Sequence, residues 1–464
     1  MTSFPRGSEW RRWDLHVHTP ASALNNSFGS WDDYIGQVEA QGKDVSVVGF
    51  TDYCSIDGYK KALEYKVKGR LKQFDLLLPN IEFRITPELP DGGAINVHLL
   101  VSPEDPDHVR KIEFALRKLK FTYDGTPYSC ATDELIALGK AHKPGAKEDG
   151  PNFKAGVNAF KPSFDTFRDW LNGNAWLKDN SLVVISNGKD GASGLSKDAG
   201  FSATRNEIYR LSDMIFSANP KDREYFLGLG SDTLEKVIEE KGSSKPCVHG
   251  SDAHAGDKLF TPVKDRFCWV KANPTFEGLR QVVHEPADRV HIGASHPAPA
   301  DISRIIDRVE LTGLDSWFSK ASVELNSGLV AIIGEKGSGK TALADLIAFA
   351  CGAWNGESSA SSFIWKARNF LEGGGTKAVW GDGTASLATL VEKKKGGQPR
   401  VRYLSQDFVE QLCSQDFKGE KLVAEVEEVV FTHIDEEDRY CRRSRRQLFG
   451  PLGCPTHRPS AHHR

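Results

Sequence analysis

The sequence of 464 residues predicts an α/β fold class, arranged in two consecutive parts. Three observations carry that expectation. From residue 13 to about 295 short apolar runs alternate with amphipathic stretches, as in a parallel sheet covered by helices, open or closed into a barrel. The prolines and small residues of His291–Ala300 then break the alternation as a linker does. Beyond them a second α/β pattern surrounds a glycine-rich loop with an apolar run before it and a helical pattern after it.

In the first part the apolar runs predict strands at Trp13–His18, Val45–Thr51, Leu76–Ile85, Ile95–Ser102, Leu182–Ser186, Pro246–Gly250 and Phe267–Val270. Amphipathic spacing predicts helices at Trp31–Gln41, Tyr59–Leu71, Asp107–Lys118, Thr132–Lys140, Ser163–Trp170 and Thr204–Ser217. Lys143–Lys161 and Gly188–Gly200, rich in Gly, Pro, Lys and Asn, read as loops. In the second part strands are expected at Arg308–Thr312, Gly328–Ile333 and Val401–Leu404, and helices over Thr341–Ala350 and from Asp407. Low-complexity spacers fall at Glu357–Ser362 and Gly373–Gly375.

Composition narrows the class. A net charge of −3 with 27% charged residues argues against a nucleic-acid-coating or membrane-surface protein, although local basic patches are compatible with it. No apolar run approaches a membrane span, and the opening MTSFPRGSEWRRW lacks a signal-peptide core. Eight scattered cysteines with no C-x-x-C pair fit reduced thiols, so a cytoplasmic location is expected.

The candidate chemistry begins at Trp13-Asp14-Leu15-His16-Val17-His18. Alternation puts Leu15 and Val17 on one face of the strand and His16 and His18 on the other, where two imidazoles can grip one divalent ion. Further metal-capable residues stand in or at the ends of other predicted strands: Asp52, Glu82, His98, and the pair Asp252 and His254. Mixed histidine and carboxylate ligation suits Zn²⁺, Mn²⁺ or Fe(II), and Mg²⁺ is also admitted. His142 is a weaker candidate ligand, and His249, His284, His291 and His296 read as ordinary surface or core histidines.

In the second part Gly334-Glu335-Lys336-Gly337-Ser338-Gly339-Lys340-Thr341 fits G-x-x-x-x-G-K-[ST]. Glycines there let backbone N–H groups surround a phosphate at the positive end of the following helix. Lys340 is expected at the β- and γ-phosphates and the Thr341 hydroxyl on Mg²⁺, so ATP with Mg is the expected ligand.

The first part resembles the PHP superfamily, named for its polymerase-associated and histidinol phosphatase members, over about residues 10–295. Asp14-Leu-His16-Val-His18-Thr matches its first motif, Ser251-Asp252-Ala-His254 its last, and Glu82 and His98 its bridging carboxylate and following histidine. The resemblance implies a distorted (β/α)7 barrel that hydrolyses phosphoesters with up to three metals. One metal position keeps His16, His18, Glu82 and Asp252; a second keeps Glu82 and His98 with Asn187 a poor substitute; the third keeps only His254. One firm metal and a second possible one follow, with Asp52 and His254 assigned to catalysis. The family's Thr-Asp-His motif reads Thr51-Asp52-Tyr53 here, and a histidine expected near Leu24–Ser27 is missing.

Gly337 and Arg402-Tyr-Leu-Ser-Gln406-Asp-Phe resemble ATPases of the ABC, SMC and RecN-like kind, with Gln406 matching their Q-loop glutamine. No Leu-Ser-Gly-Gly signature follows, and Val429–Glu436 reads as an ordinary segment. Together the parts resemble the TrlF-type family of PHP–ATPase fusions, whose members are longer, so C-terminal truncation is expected. The expected domains are 1–295, a linker at 296–302, a partial ATPase lobe at 303–438, and a basic, disordered tail at 439–464 that reads as out of frame. The function so implied is a metal-dependent phosphoesterase, a nuclease on DNA or RNA in repair or anti-phage defence, with a homodimer through the ATPase lobe. Two other readings stand beside it: a small-molecule phosphatase of histidinol-phosphatase type, and a non-catalytic ATP-dependent nucleic-acid-binding protein.

Overall fold

The computed structural model describes residues 4–196, 199–298, 301–318, 321–354, 362–390 and 400–405. The chain divides into two compact units, Met1–Pro299 and Ala300–Arg464.

The strands of the first unit are β1 (Glu9–His18), β2 (Val45–Tyr53), β3 (Leu76–Ile85), β4 (Ile95–Val101), β5 (Lys120–Tyr123), β6 (Thr126–Ser129), β7 (Ser181–Ser186), β8 (Met214–Phe216), β9 (Cys247–Val248), β10 (Phe267–Ala272) and β11 (Val290–Gly293). All but the β5–β6 hairpin join one sheet in the order β11-β10-β1-β2-β3-β4-β7-β8-β9. Its edge strands β9 and β11 approach each other, so the sheet is nearly closed.

The expected all-parallel layout is corrected to a mixed one. β1, β2 and β3 run parallel, as do β7, β8 and β9, but β4 is antiparallel to both of its neighbours and β10 to β1. The physical reason is connection length: residues 86–94 between β3 and β4 are too few for a crossover, so the chain turns straight back.

Each face of the sheet has its own core. Trp13, Leu15, Val47, Leu78, Leu100, Val184, Met214 and Val248 pack together on one side. Val17, Val48, Phe50, Ile81, Phe83, Val97 and Leu99 pack on the other with residues of the covering helices. Leu15 and Val17 therefore do not share a face, contrary to the simple alternation. Asp14 pairs with Val48 but Val17 with Phe50, so Leu15 and His16 together oppose Gly49. This is a bulge, which inverts the side-chain alternation beyond it. Leu15 and His16, the two bulge residues, and His18 beyond them therefore lie on the side opposite Val17.

Helices Trp31–Gln41, Asp57–Val67, His108–Leu116, Thr132–His142 and Phe164–Asn172 lie within a few residues of their expected positions. Thr204–Ser217 was expected as one helix; the helix is Ala199–Leu211, and β8 follows. Lys143–Lys161, expected as a loop, contains the helix Asp149–Ala159. Its small residues serve packing, since a Cβ on Gly156 would stand 1.7 Å from Leu135 O and one on Gly139 1.8 Å from Asn152 O. Two helix backbones touch there, which only glycine allows. His291–Gly293, expected as linker, belong to β11.

In the second unit β12 (Ile306–Thr312), β13 (Ser322–Glu324), β14 (Gly375–Trp380) and β15 (Ala385–Thr389) form an antiparallel sheet in the order β13-β12-β14-β15. Its core, including Val309, Leu311 and Trp380, receives Leu346 and Ala350 from the helix Lys340–Ala350. Gly328–Ile333 and Val401–Leu404 form no strand. Leu329 and Ile333 are 94% and 88% exposed, and an apolar run with no neighbouring strand among the described residues has no ladder to join. The expected helix from Asp407, Gln406 itself, Val429–Glu436 and the tail lie outside the described residues. No helix among the described residues is long and apolar enough to cross a membrane.

Candidate metal centre

β1 supplies His16 and His18, β3 supplies Glu82, β4 supplies His98, and the segment after β9 supplies Asp252 and His254. His16 Nε2 lies 3.1 Å from His18 Nε2, 3.5 Å from Glu82 Oε2 and 3.2 Å from Asp252 Oδ1. His18 Nε2 lies 3.4 Å from Glu82 Oε2 and 3.5 Å from Asp252 Oδ1. An ion held tetrahedrally at about 2.0–2.1 Å demands donor separations of about 3.3–3.4 Å. These five separations, each to an imidazole of His16 or His18, lie close to that value.

A second triad, His16, Glu82 and His98, places one donor atom of each within 4.8 Å of the others. Its tautomer can be deduced. Asn80 Nδ2 donates to Leu15 O (2.8 Å) and Thr51 Oγ1 (3.0 Å), which leaves Oδ1 to accept from His98 Nδ1 at 3.1 Å. His98 Nε2 thus carries a lone pair, is buried, and has no hydrogen-bond partner among the described residues. Asn187 does not join: its amide is engaged with the Tyr209 hydroxyl and Asp222.

The surroundings hold each ligand in place. Ser22 Oγ meets His18 Nδ1 at 3.0 Å, and the His18 ring is stacked between His254 (3.9 Å) and Tyr53 (5.0 Å). Phe216 walls off His16 and His98. Asp14, fully buried, accepts from Ser251 N at 3.0 Å and His16 N at 3.2 Å, tying β1 to the segment that carries Asp252. Asp252 has a φ of +50°, a conformation aspartate tolerates, and is the exposed member at the mouth.

Electrostatics suit a cation. Burial alone would raise the Glu82 carboxyl, but His98, His16 and His18 outweigh it and hold the group below the ordinary carboxylate range. Asp252 is likewise held low against burial, chiefly by His16 and His18. Burial would lower His18, yet hydrogen bonds to Asp252 and Glu82 push it up to about 9. Burial, reinforced by His16, pushes His98 down to about 3, so it is neutral. These are two ionised carboxylates facing imidazoles, the donor chemistry of a Zn²⁺ or Mn²⁺ site.

Asp52 does not enter the cluster. On β2 it projects opposite to Tyr53, its oxygens accepting from Thr19 Oγ1 (2.7 Å) and Gly58 N (2.8 Å). Tyr53, one residue on, lines the cleft instead. His254 borders the cluster, its Nε2 3.4 Å from Asp252 Oδ1 and its ring stacked on His18. Asn80 and Arg84 join the site unannounced by any motif, although both lie two residues from Glu82 on one strand, the period that shares a face. Asp14 was recognised only as part of a motif, with no signal for its role as a clamp.

In the second unit Gly337 and Gly339 have φ of +87° and +89°, and the helix Lys340–Ala350 starts directly after them. Lys340 Nζ donates to Gly334 O and Glu335 O, each at 2.7 Å. Thr341 is exposed beside it, as are Glu335, Lys336 and Ser338.

Residues 308–447, less than a third of the chain, match the family described as AAA domain. A solved structure from Bifidobacterium adolescentis, provisionally named a metal-dependent phosphoesterase, is 14% identical with a TM-score of 0.30 over 61% of this chain and 98% of that one. That likeness is too slight to carry an argument. No curated protein matches the sequence.

Proposed function

We propose that the first unit is a metal-dependent phosphoesterase acting on phosphodiesters of nucleic acid, joined to an ATP-binding unit. The observation that carries it is the pair His16 and His18, whose Nε2 atoms stand 3.1 Å apart and each 3.2–3.5 Å from Glu82 Oε2 and Asp252 Oδ1. This spacing is nearer the tetrahedral value than the roughly 3.0 Å of octahedral ligands at about 2.1 Å, which favours zinc. His98 supports a second ion beside Glu82.

A metal bound here supplies a water of lowered pKa and stabilises the leaving oxygen. The chain's own groups do the rest. Arg84, Lys161 and Lys189 line the cleft of about 530 Å³ and neutralise the phosphate oxygens. His254 Nδ1, buried and without a partner among the described residues, is placed to hold or release a proton beside the cluster. Tyr53 and His254 clamp the His18 ring so that Nε2 keeps its aim.

Phosphate entering the loop of the second unit replaces Gly334 O and Glu335 O as partners of Lys340, with Thr341 on the accompanying Mg²⁺. The match to the AAA domain family supports nucleotide binding. A nucleotide switch is out of place on a simple metabolic phosphatase and fits a nuclease of repair or anti-phage defence, dimerising through the ATP unit.

The test combines elemental analysis of the purified chain with Zn²⁺- and Mn²⁺-dependent hydrolysis of an aryl phosphodiester and a single-stranded oligonucleotide. We expect about one tightly held ion per chain and cleavage that Glu82→Gln lowers at least 100-fold. A chain with no bound metal that stays inactive with every divalent ion overturns the proposal.

A further inference from the structure

The cleft over the metal centre opens into a second cavity of about 760 Å³, and Asn25, Arg84 and Asn158 line both. The second cavity differs from the first in charge. Its lining contains Arg84, Lys143 and Lys154 and no carboxylate, whereas Asp91 and Asp190 line the first. Lys143 and Lys154 are exposed, and neither forms an ion pair among the described residues. The nearby Lys140 and Asp149 neutralise each other at 3.1 Å, so the net charge of the cavity stays positive.

A second observation points to a ligand. Asn152 lines the cavity and is 1% exposed. Its Nδ2 donates to Ala146 O (3.1 Å) and Glu148 O (2.7 Å), which settles the orientation of the amide. Its Oδ1 is left buried with no donor among the described residues. A buried acceptor without a partner is unfavourable, and a ligand hydroxyl or amino group reaching it would remove that cost. Cations for a phosphate and an acceptor for a sugar or base group together describe one nucleotide residue.

We propose that this cavity is a subsite for the nucleotide flanking the scissile phosphodiester, so that the substrate is a single-stranded chain and not a mononucleotide. This assignment rests on the reading of the metal centre as a phosphodiesterase. Lys143 and Lys154 hold the neighbouring phosphate, Asn152 Oδ1 accepts from the flanking sugar or base, and Arg84 stands where the two cavities meet. Arg84 is positioned for this by Asn158 Oδ1 at 3.3 Å and by the Tyr53 ring, 5.1 Å from its guanidinium.

The test uses the full chain with Lys143→Ala and Lys154→Ala combined, both at exposed positions. For a single-stranded oligonucleotide we expect KM to rise about tenfold with kcat nearly unchanged. The slope of log affinity against log salt should fall by about 0.7 for each phosphate that is no longer neutralised. Kinetics on an aryl phosphodiester, which has no flanking nucleotide, should not change. Equal loss on both substrates, or an unchanged oligonucleotide KM and salt slope, overturns the subsite. Binding of a fluorescent oligonucleotide to Glu82→Gln, with and without the lysine changes, reads the subsite even where cleavage fails. Tenfold weaker binding by the triple variant supports it independently of the metal-centre reading. A mononucleotide that competes as well as the oligonucleotide overturns it.

Discussion

Gly250 lies where the chain leaving β9 passes β1. A Cβ there would stand 2.6 Å from His16 N and from Asp14 Oδ1, and 2.7 Å from His16 Cβ. Ordinary contact begins at 3.4 Å, so in Gly250→Ala one segment must yield by about 3.4 − 2.6 = 0.8 Å. Metal sites tolerate only about 0.2 Å in ligand distance, a quarter of that shift. Overpacking of this kind costs about 1–3 kcal/mol of stability. The metal suffers more: even losing an outer partner costs about 10–100-fold in affinity, and here a ligand moves. We therefore expect a folded Gly250→Ala chain whose Zn²⁺ affinity, measured by competition with a chromophoric chelator, falls at least 100-fold. Gly36→Ala is the control, since a Cβ at that helical position meets nothing within 4 Å. It should bind metal normally and gain about 0.5–1 kcal/mol of stability. A folded Gly250→Ala chain with undiminished Zn²⁺ affinity would refute the geometry described for the centre.

Two further outcomes follow from named groups. Lys340→Ala should reduce binding of a fluorescent ATP analogue beyond detection without altering the circular dichroism spectrum, because among the described residues Lys340 Nζ donates only to Gly334 O and Glu335 O. Unchanged binding would remove the phosphate-loop reading. Asp52 is fully buried, and desolvation raises it from 3.8 to about 7 despite its bonds to Thr19 and Gly58. A group raised on folding favours the folded state below its unfolded value, and that contribution is lost as pH climbs through about 7. The loss is at most about 4 kcal/mol at roughly 1.36 kcal/mol per pH unit. Urea unfolding at pH 4.5 and pH 8 should show this fall in the natural chain and a flatter profile in Asp52→Asn. The same fall in both chains would contradict it.

Much of the candidate site was legible because its residues stand at strand ends with simple spacing. His16, His18, Glu82, His98 and Asp252 were all named from position and residue type, and the structure brings their donor atoms together. Asn187 and Asp52 were not brought in. Asn187 is occupied by Tyr209 and Asp222, and period-two alternation puts Tyr53, not Asp52, at the cleft. Loop-like composition hid the helix Asp149–Ala159, whose glycines serve a close helix crossing that no local pattern reports.

By itself the sequence determined the α/β class, the histidine strand, the carboxylates that answer it, and the glycine-rich loop at Gly334–Thr341, because each is a local matter of residue type and spacing. Only the tertiary structure decided the rest. It turned β4 antiparallel, inverted β1 with a bulge opposite Gly49, and left Leu329–Ile333 outside the sheet. It also oriented His98 through Asn80 and set Arg84, Lys143, Lys154 and Asn152 around one cavity. Register, strand partnership and the burial of a single amide oxygen depend on which distant segment lies alongside. Pairings across β1, β3, β4 and residue 252 are set by the packing of the whole sheet, beyond the reach of any local run of residues.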